Sequence, residues 1–275
     1  MTHPTASPHP APAASSVPAT LDLVIEGDVA IIHIDRPVRR NALDAVTVEG
    51  LEWIFRTFPV GVKAAVIAAR GEHFSAGLDL ADMTEKDLAG GIAHSRMWHR
   101  AFEAIEFGSV PVVSVLHGAV VGGGLELAAA THIRVAESST FYALPEGLRG
   151  IFVGGGGSVR ISRLIGVSRM QDMMLTGRTY GAEEGQAIGL SHYVTAAGEG
   201  LAKGIELAQR IARNTQMTNF AVQHILPKIG TIDPVAGLAM EALVSSIAQG
   251  DPEAKERLKD FLEKRAAKVV HGGQG

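Results

Sequence analysis

Cysteine is absent from this chain, and with it go disulfides, thiolate-held metal ions and thiol nucleophiles. No apolar run approaches the roughly 18–20 residues that a membrane span needs. Neither sign of charge is in large excess: net charge is −4 and the pI is near 6.3. That balance gives no reason to expect a nucleic-acid or anionic-membrane partner. The start, MTHPTASPHPAPAASSVPAT, lacks the basic and apolar regions of a signal peptide. Its prolines, set among small polar residues, predict a disordered tail over residues 1–20. A soluble, cytoplasmic protein is expected. H-E-x-x-H, G-K-S/T after a glycine loop and G-x-S-x-G are all missing too, which removes three familiar routes to catalysis.

What is present is a chain of 275 residues, 46% hydrophobic, with a mean hydropathy of +0.17. That suffices to bury a core, as one large domain or a domain with an appendage. The 32 glycines follow no collagen-like period and point to shaped backbone loops. LDLVIEG and VAIIHID read as two strands hinged at Gly27-Asp28. Residues 44–57 have helical spacing, with Leu43 or Asp44 near the cap. KAAVIAAR (63–70) and PVVSVLHG (111–118) are continuous apolar runs of the buried-strand kind. The first leads into the loop GEHFSAGLDL and then a helix over 84–106. The second leads into glycines that open a helix at about 122–130, followed by HIRVAE and a short TFYA. This repeated order predicts an α/β fold with mostly parallel strands. Beyond about residue 155 the pattern is nearly all helical, with helices at 198–213, 217–229, 234–249 and 251–267. Asp251-Pro252 fits an N-cap followed by proline at the first helical position. The division expected is a β/α core over 21–195 and a helical C-terminal region over 196–275.

The stretch VVGGGLELAAATHIRVAESSTFYALPEGLRG (120–150) carries the most chemistry. Gly122-Gly123-Gly124 after a strand suggests a dinucleotide fingerprint, but the last small residue would fall at Leu127, and Gly154–Gly157 follows a loop. His94 and His99, five apart on one helix, are wrongly spaced for two metal ligands and read as surface or packing residues, so no metal site is expected. Glycines at a helix start allow close backbone approach, and free N–H groups there suit a developing negative charge. Ala76 and Gly77 offer a second loop for such a donor; both places are equally readable as tight turns. Glu126, flanked by Leu125 and Leu127, and Glu146, in a Pro-Glu-Gly turn, are each ordinary alone, as a helix-start acid and a turn acid. Two carboxylates beside an oxyanion candidate point instead to acid–base work, because burial raises a carboxyl pKa.

HFSAGLDL, HGAVVGGGLELAAATHIRVAE, YALPEGLRGIFVGGGG and SVRISRLIG together resemble the crotonase, or enoyl-CoA hydratase/isomerase, superfamily. IDRPVRRNALD resembles its N-terminal R-P-x-x-x-N-A-L segment, and GDPEAKERLKDFLEKR its C-terminal helix, so the likeness spans about 21–267. It implies a spiral of β-β-α turns, a helical C-terminal trimerisation region and a homotrimer or homohexamer. It implies a CoA thioester whose carbonyl lies between the backbone N–H groups of Ala76 and Gly123. Glu126 and Glu146 take the places of the catalytic carboxylates. Arg39, Arg40, Ala42, Ser75, Gly77, Leu78, Asp79, Leu80 and Gly122 become candidate substrate- and CoA-binding positions. No metal, flavin or nucleotide cofactor is implied; coenzyme A is part of the substrate.

Within the superfamily, keeping both glutamates favours water addition to a trans-2-enoyl-CoA. Enoyl-CoA isomerases typically keep one, at the position of Glu146, and dienoyl-CoA isomerases add an acid where this chain has Gly154. Hydratases often carry a polar residue where Leu144 stands here. Trp98, Met97 and Met83 are candidates for the acyl pocket, and Lys264 and Arg265 for the CoA phosphates. Relatives that bind RNA use a lysine-rich helix, whereas 203–213 offers only Lys203, Arg210 and Arg213.

Overall fold

Continuous apolar runs belong to strands covered on both faces, and the centre of this molecule is made of them. The computed structural model describes residues 17–82 and 87–263. β1 (Leu21–Glu26) and β2 (Val29–Ile34) form the expected antiparallel hairpin. β3 (Ala64–Ala69) and β4 (Val112–Leu116) follow in parallel. Then come β5 (Ala119–Val121), β6 (Ile133–Glu137), β7 (Phe141–Ala143), β8 (Tyr180–Gly181) and β9 (Tyr193–Thr195). Six of them form one sheet in the order β1-β2-β3-β4-β6-β9, and β5-β7-β8 form a second. Only β1–β2 and β7–β8 pair antiparallel among the described strands.

The helices are α1 (Ala45–Arg56), α2 (Leu88–Glu106), α3 (Gly123–Ala129), α4 (Gly157–Ile165), α5 (Val167–Thr176), α6 (Ala182–Ile188) and α7 (Gly200–Ala212). Side-chain caps fix two of their starts: Asp44 accepts from Thr47 N–H, and Asp87 from Gly90 N–H. The path then repeats. β4 lies in the large sheet, β5 in the small one, and α3 follows; β6, β7 and α4 do the same. One turn earlier, β3 is followed by single bridges, Ser75 to Val120 and Leu43 to Leu78, before α2. A spiral of β-β-α turns results.

One face of the large sheet packs on α1 and α2 through Ile32, Ile67, Leu51, Phe102 and Leu116. The other is covered by α7, whose Leu207, Ala208 and Ala212 meet Val66, Val113 and Val115. Beyond α7 the expected helix at 217–229 is three pieces, α8 (Gln216–Phe220), a widened π turn (Ala221–Ile225) and α9 (Leu226–Ile229). Pro227 explains the break: it has no N–H to give and its ring crowds the carbonyl four residues back. α10 (Pro234–Gly250) and α11 (Pro252–Leu262) follow, with Asp251 accepting from Glu253 and Ala254 N–H as the cap expected there. They leave Leu238, Leu243, Ile247, Leu258 and Phe261 exposed. At the other end, Val17 packs on the core and Leu21 N–H donates to Pro18 carbonyl, so order begins within the expected tail. Residues 1–16, Met83, Lys264 and Arg265 lie outside the described residues.

Candidate active site

The spiral brings Glu126 and Glu146 to one cavity of about 170 Å³. Glu126 sits in the first turn of α3, 4% exposed. Its Oε1 accepts from Gly155 N–H at 2.9 Å and Gly157 N–H at 2.7 Å. The four-glycine run Gly154–Gly157 therefore grips a carboxylate rather than a nucleotide. A Cβ on Gly157 would lie 2.8 Å from the Glu126 side chain, so the approach needs glycine. Burial pushes the Glu126 pKa above the usual carboxylate range, and outweighs the Gly157 and Gly155 N–H groups, which pull it down.

Glu146 stands in the turn after β7, 7% exposed, with Oε2 buried and unpartnered among the described residues. Its Oε1 lies over Gly122, whose φ of +52° and missing side chain both suit glycine: a Cβ there would fall 2.6 Å from that oxygen. Burial raises its pKa to about 7; its own backbone N–H and Arg149 oppose the rise, and the Glu126 charge adds to it. The two carboxyls are thus electrostatically coupled, one held by the amides of Gly155 and Gly157 and the other by its own backbone amide.

Two backbone segments meet beside them. The bridge to Leu43 uses the Gly77 carbonyl, as acceptor for Leu43 N–H at 2.8 Å, and the Asp79 N–H, as donor to Leu43 carbonyl at 2.9 Å. Strand geometry then turns Leu78 N–H the opposite way, toward the cavity. Gly123 supplies the second amide, as the first residue of α3. The two are neighbours, since a Cβ on Gly123 would lie 3.3 Å from Leu78 N. Neither N–H has an acceptor among the described residues.

This overturns one expectation. Ala76 N–H donates to Arg40 carbonyl at 2.9 Å, so it is already spent and cannot be the oxyanion donor; the free amide is two residues on, at Leu78. Ala76, Gly77, Leu78, Leu80, Gly122 and Gly123 all line the cavity. The other anticipated binding positions do not line the cavity. Ser75 is buried, its Oγ donating to Asn41 carbonyl at 2.8 Å and accepting from Gly77 N–H at 3.1 Å. Asp79 bonds Arg36 at 2.9 Å and Ala81 N–H at 3.1 Å; the Ala81 amide, above all, holds its carboxyl below the usual range. The Ala42 carbonyl accepts from Arg36. Arg39 and Arg40 stay exposed, Arg40 in the left-handed region at φ 51°.

Trp98 forms a cavity wall, its ring against Gly123 and Gly155, while Met97 is buried in the core without reaching the cavity. His94, expected as a surface or packing residue, lines the cavity, as do Ser95, Ile151, Phe152 and Val153. Spacing on α2 could have found His94, Ser95 and Trp98, which share a helix face; Ile151, Phe152 and Val153 lie on irregular backbone with no periodic signal. No group of three His, Asp or Glu side chains among the described residues is placed to hold a metal ion.

A family model described as enoyl-CoA hydratase/isomerase matches residues 24–271. The short-chain-enoyl-CoA hydratase of Clostridium acetobutylicum is 28% identical over 243 residues, covering 87% of this chain and 93% of that one. The 2,3-dehydroadipyl-CoA hydratase of Escherichia coli K12 is 30% identical over 241 residues, covering 86% and 93%. Among solved structures, a Rhodopseudomonas palustris protein that carries an enoyl-CoA hydratase assignment superposes with a TM-score of 0.89. It is 51% identical and covers 94% of this chain and 100% of its own.

Proposed function

The chain belongs to the enoyl-CoA hydratase/isomerase family and is a hydro-lyase of the enoyl-CoA hydratase kind, and we propose that its site adds water across the 2,3 double bond of a trans-2-enoyl-CoA thioester. The observation that carries this reading is two buried carboxyls on one cavity, beside two amides with no acceptor among the described residues. Coupled carboxyls sharing a low-dielectric site divide their protons unequally. Glu126, gripped by Gly155 and Gly157, is the member better able to stay ionised; Glu146, with one oxygen unpartnered, is the one better kept as the acid.

The thioester oxygen takes up negative charge between Leu78 N–H and Gly123 N–H. Glu126 takes a proton from water as its oxygen bonds to C3, and the C2–C3 π pair moves toward the thioester as enolate. Glu146 gives its proton to C2. The site ends with one proton moved from Glu146 to Glu126, and exchange with solvent resets it. No electron leaves the substrate, so no cofactor is called for beyond the coenzyme A the substrate carries.

The reading places the enzyme in the cytoplasm as a homotrimer or homohexamer. Exposed apolar residues on α10 and α11 support the assembly. Net charge and the pairing of Lys203 and Arg210 with Glu206 weigh against RNA binding. No helix among the described residues is long and apolar enough to cross a membrane. The test is loss of conjugated-enone absorbance from short, long, aromatic and carboxylated trans-2-enoyl-CoAs without added cofactor. At least one should be hydrated; inactivity across the panel would sink the reading. Conversion of 3-enoyl to 2-enoyl-CoA in place of hydration would make the enzyme an isomerase.

A further inference from the structure

Glu126 is only as well placed as the loop that grips it, and that loop is irregular until α4 begins at Gly157. Residues 151–154 are irregular, and Gly156, at φ +97°, caps α4, its carbonyl accepting from Arg160 N–H at 3.1 Å. Apart from Glu126, one side chain among the described residues hydrogen-bonds it. Arg160, on the first turns of α4, donates from Nη1 to Gly155 carbonyl at 3.0 Å and from Nε to Glu106 Oε2 at 2.6 Å. Its guanidinium occupies the space a Cβ on Gly156 would need. The Arg160 side chain is 10% exposed and that of Glu106 21%, so the pair is largely shielded from solvent.

Glu106 is itself fixed. It ends α2, and its carbonyl accepts from His132 Nε2 at 3.0 Å and Gln223 Nε2 at 3.3 Å. The His132 tautomer follows from its other nitrogen, which accepts from Val112 N–H at 2.9 Å. α2 also carries Trp98, the cavity wall. One guanidinium therefore ties the carboxylate-gripping loop to the end of the helix that walls the cavity.

We propose that Arg160 is a positioning residue for the Glu126 carboxylate: by holding Gly155 carbonyl against Glu106 it fixes the two amides, of Gly155 and Gly157, that aim Glu126 Oε1. Its side chain does not line the cavity. The inference rests on Glu126 being the base of the hydration proposed above. Arg160 also acts through space, its charge favouring ionised Glu126. The other titratable or charged groups around that carboxylate are Glu146 and Arg149 from the turn after β7, His94 and His99 from α2, and Glu106.

The test separates positioning from packing by reading Glu126 directly. In protein labelled with ¹³C at glutamate Cδ, the Glu126 resonance is identified by its loss in Glu126→Gln and titrated without substrate. Arg160→Gln removes both the anchor and the cation, so the Glu126 midpoint should rise by roughly one pH unit, and its acid limb in kcat/KM should rise with it. Its kcat should fall about 10- to 100-fold with KM little changed, the loss expected of a misplaced catalytic group. Arg160→Lys keeps the charge without the fork, so the midpoint should return toward wild type while kcat stays low. Glu106→Gln leaves the bond to Gly155 and should cost less than Arg160→Gln. Wild-type kcat in either Arg160 variant overturns the proposal, as does an Arg160→Gln loss with the Glu126 midpoint unmoved. If Arg160→Gln does not fold, Arg160→Lys decides on kcat alone. Because the titration needs no substrate, a wild type that hydrates nothing fells the hydratase reading and not this one.

Discussion

Glu126 and Glu146 face one cavity from regions built in opposite ways. Glu126 rises from a buried helix and is met by a glycine loop that brings two N–H groups to one oxygen. Glu146 stands in an irregular turn, over a glycine, with one oxygen buried and unpartnered. Both are raised by burial, so the difference lies in the hydrogen bonds. In the proposed mechanism identical side chains become base and acid because two amides of a neighbouring loop meet one, while the other has its own amide.

The largest expected effect comes from removing either partner. Glu126→Gln and Glu146→Gln should each lower kcat by roughly 10²–10⁴, the range for a positioned acid or base. Steady-state kinetics on a hydrated enoyl-CoA gives the number, and a near wild-type rate in either would break the comparison. Next in size is the oxyanion site. Leu78→Pro deletes an N–H and should cost on the order of 10²–10³ in kcat, whereas Leu78→Ala keeps the amide and should cost far less. Circular dichroism must show both folded. Equal activity in the two would return the donor to some other residue.

That prediction also marks where reading the sequence stops. The buried strands, the hairpin at Gly27-Asp28 and the Asp251-Pro252 cap are local, and their residues announce them. Both glutamates were recognisable from the motifs around them. The donor was not: HFSAGLDL offers several small residues in a turn, and only the long-range bridge to Leu43 decides that Leu78 faces the cavity while Ala76 is spent on Arg40. Gly154–Gly157 looked like a failed nucleotide motif, and its task is visible only once α3 is packed beside it. β9, three residues long, exists because β6 offers it an edge.

A gentler probe is pH. Activity should fall as pH rises through about 7, where Glu146 loses the proton it must deliver, and fall again in acid as Glu126 is protonated. Glu146→Asp, which moves the carboxyl, should shift the upper limb; an unmoved limb would assign it elsewhere. The smallest effect is on stability. Glu146 has a folded pKa raised above the unfolded value, so its contribution is fully present below about 4.5 and is lost as pH rises through about 7. Glu146→Gln should therefore stabilise the fold by on the order of 1–3 kcal/mol at pH 8 and by almost nothing at pH 4. Urea unfolding at both pH values checks it.

The claim on which the rest depends is that the two carboxyls act as one unit. It is tested most directly by the kcat of the double variant Glu126→Gln/Glu146→Gln beside the two singles. If proton removal from water by Glu126 and proton delivery to C2 by Glu146 serve one reaction step, the first substitution already stops it, and the double should lie within about tenfold of the worse single. Losses that multiply, so that the double falls by the product of the singles, would mean two independent groups and would contradict the account.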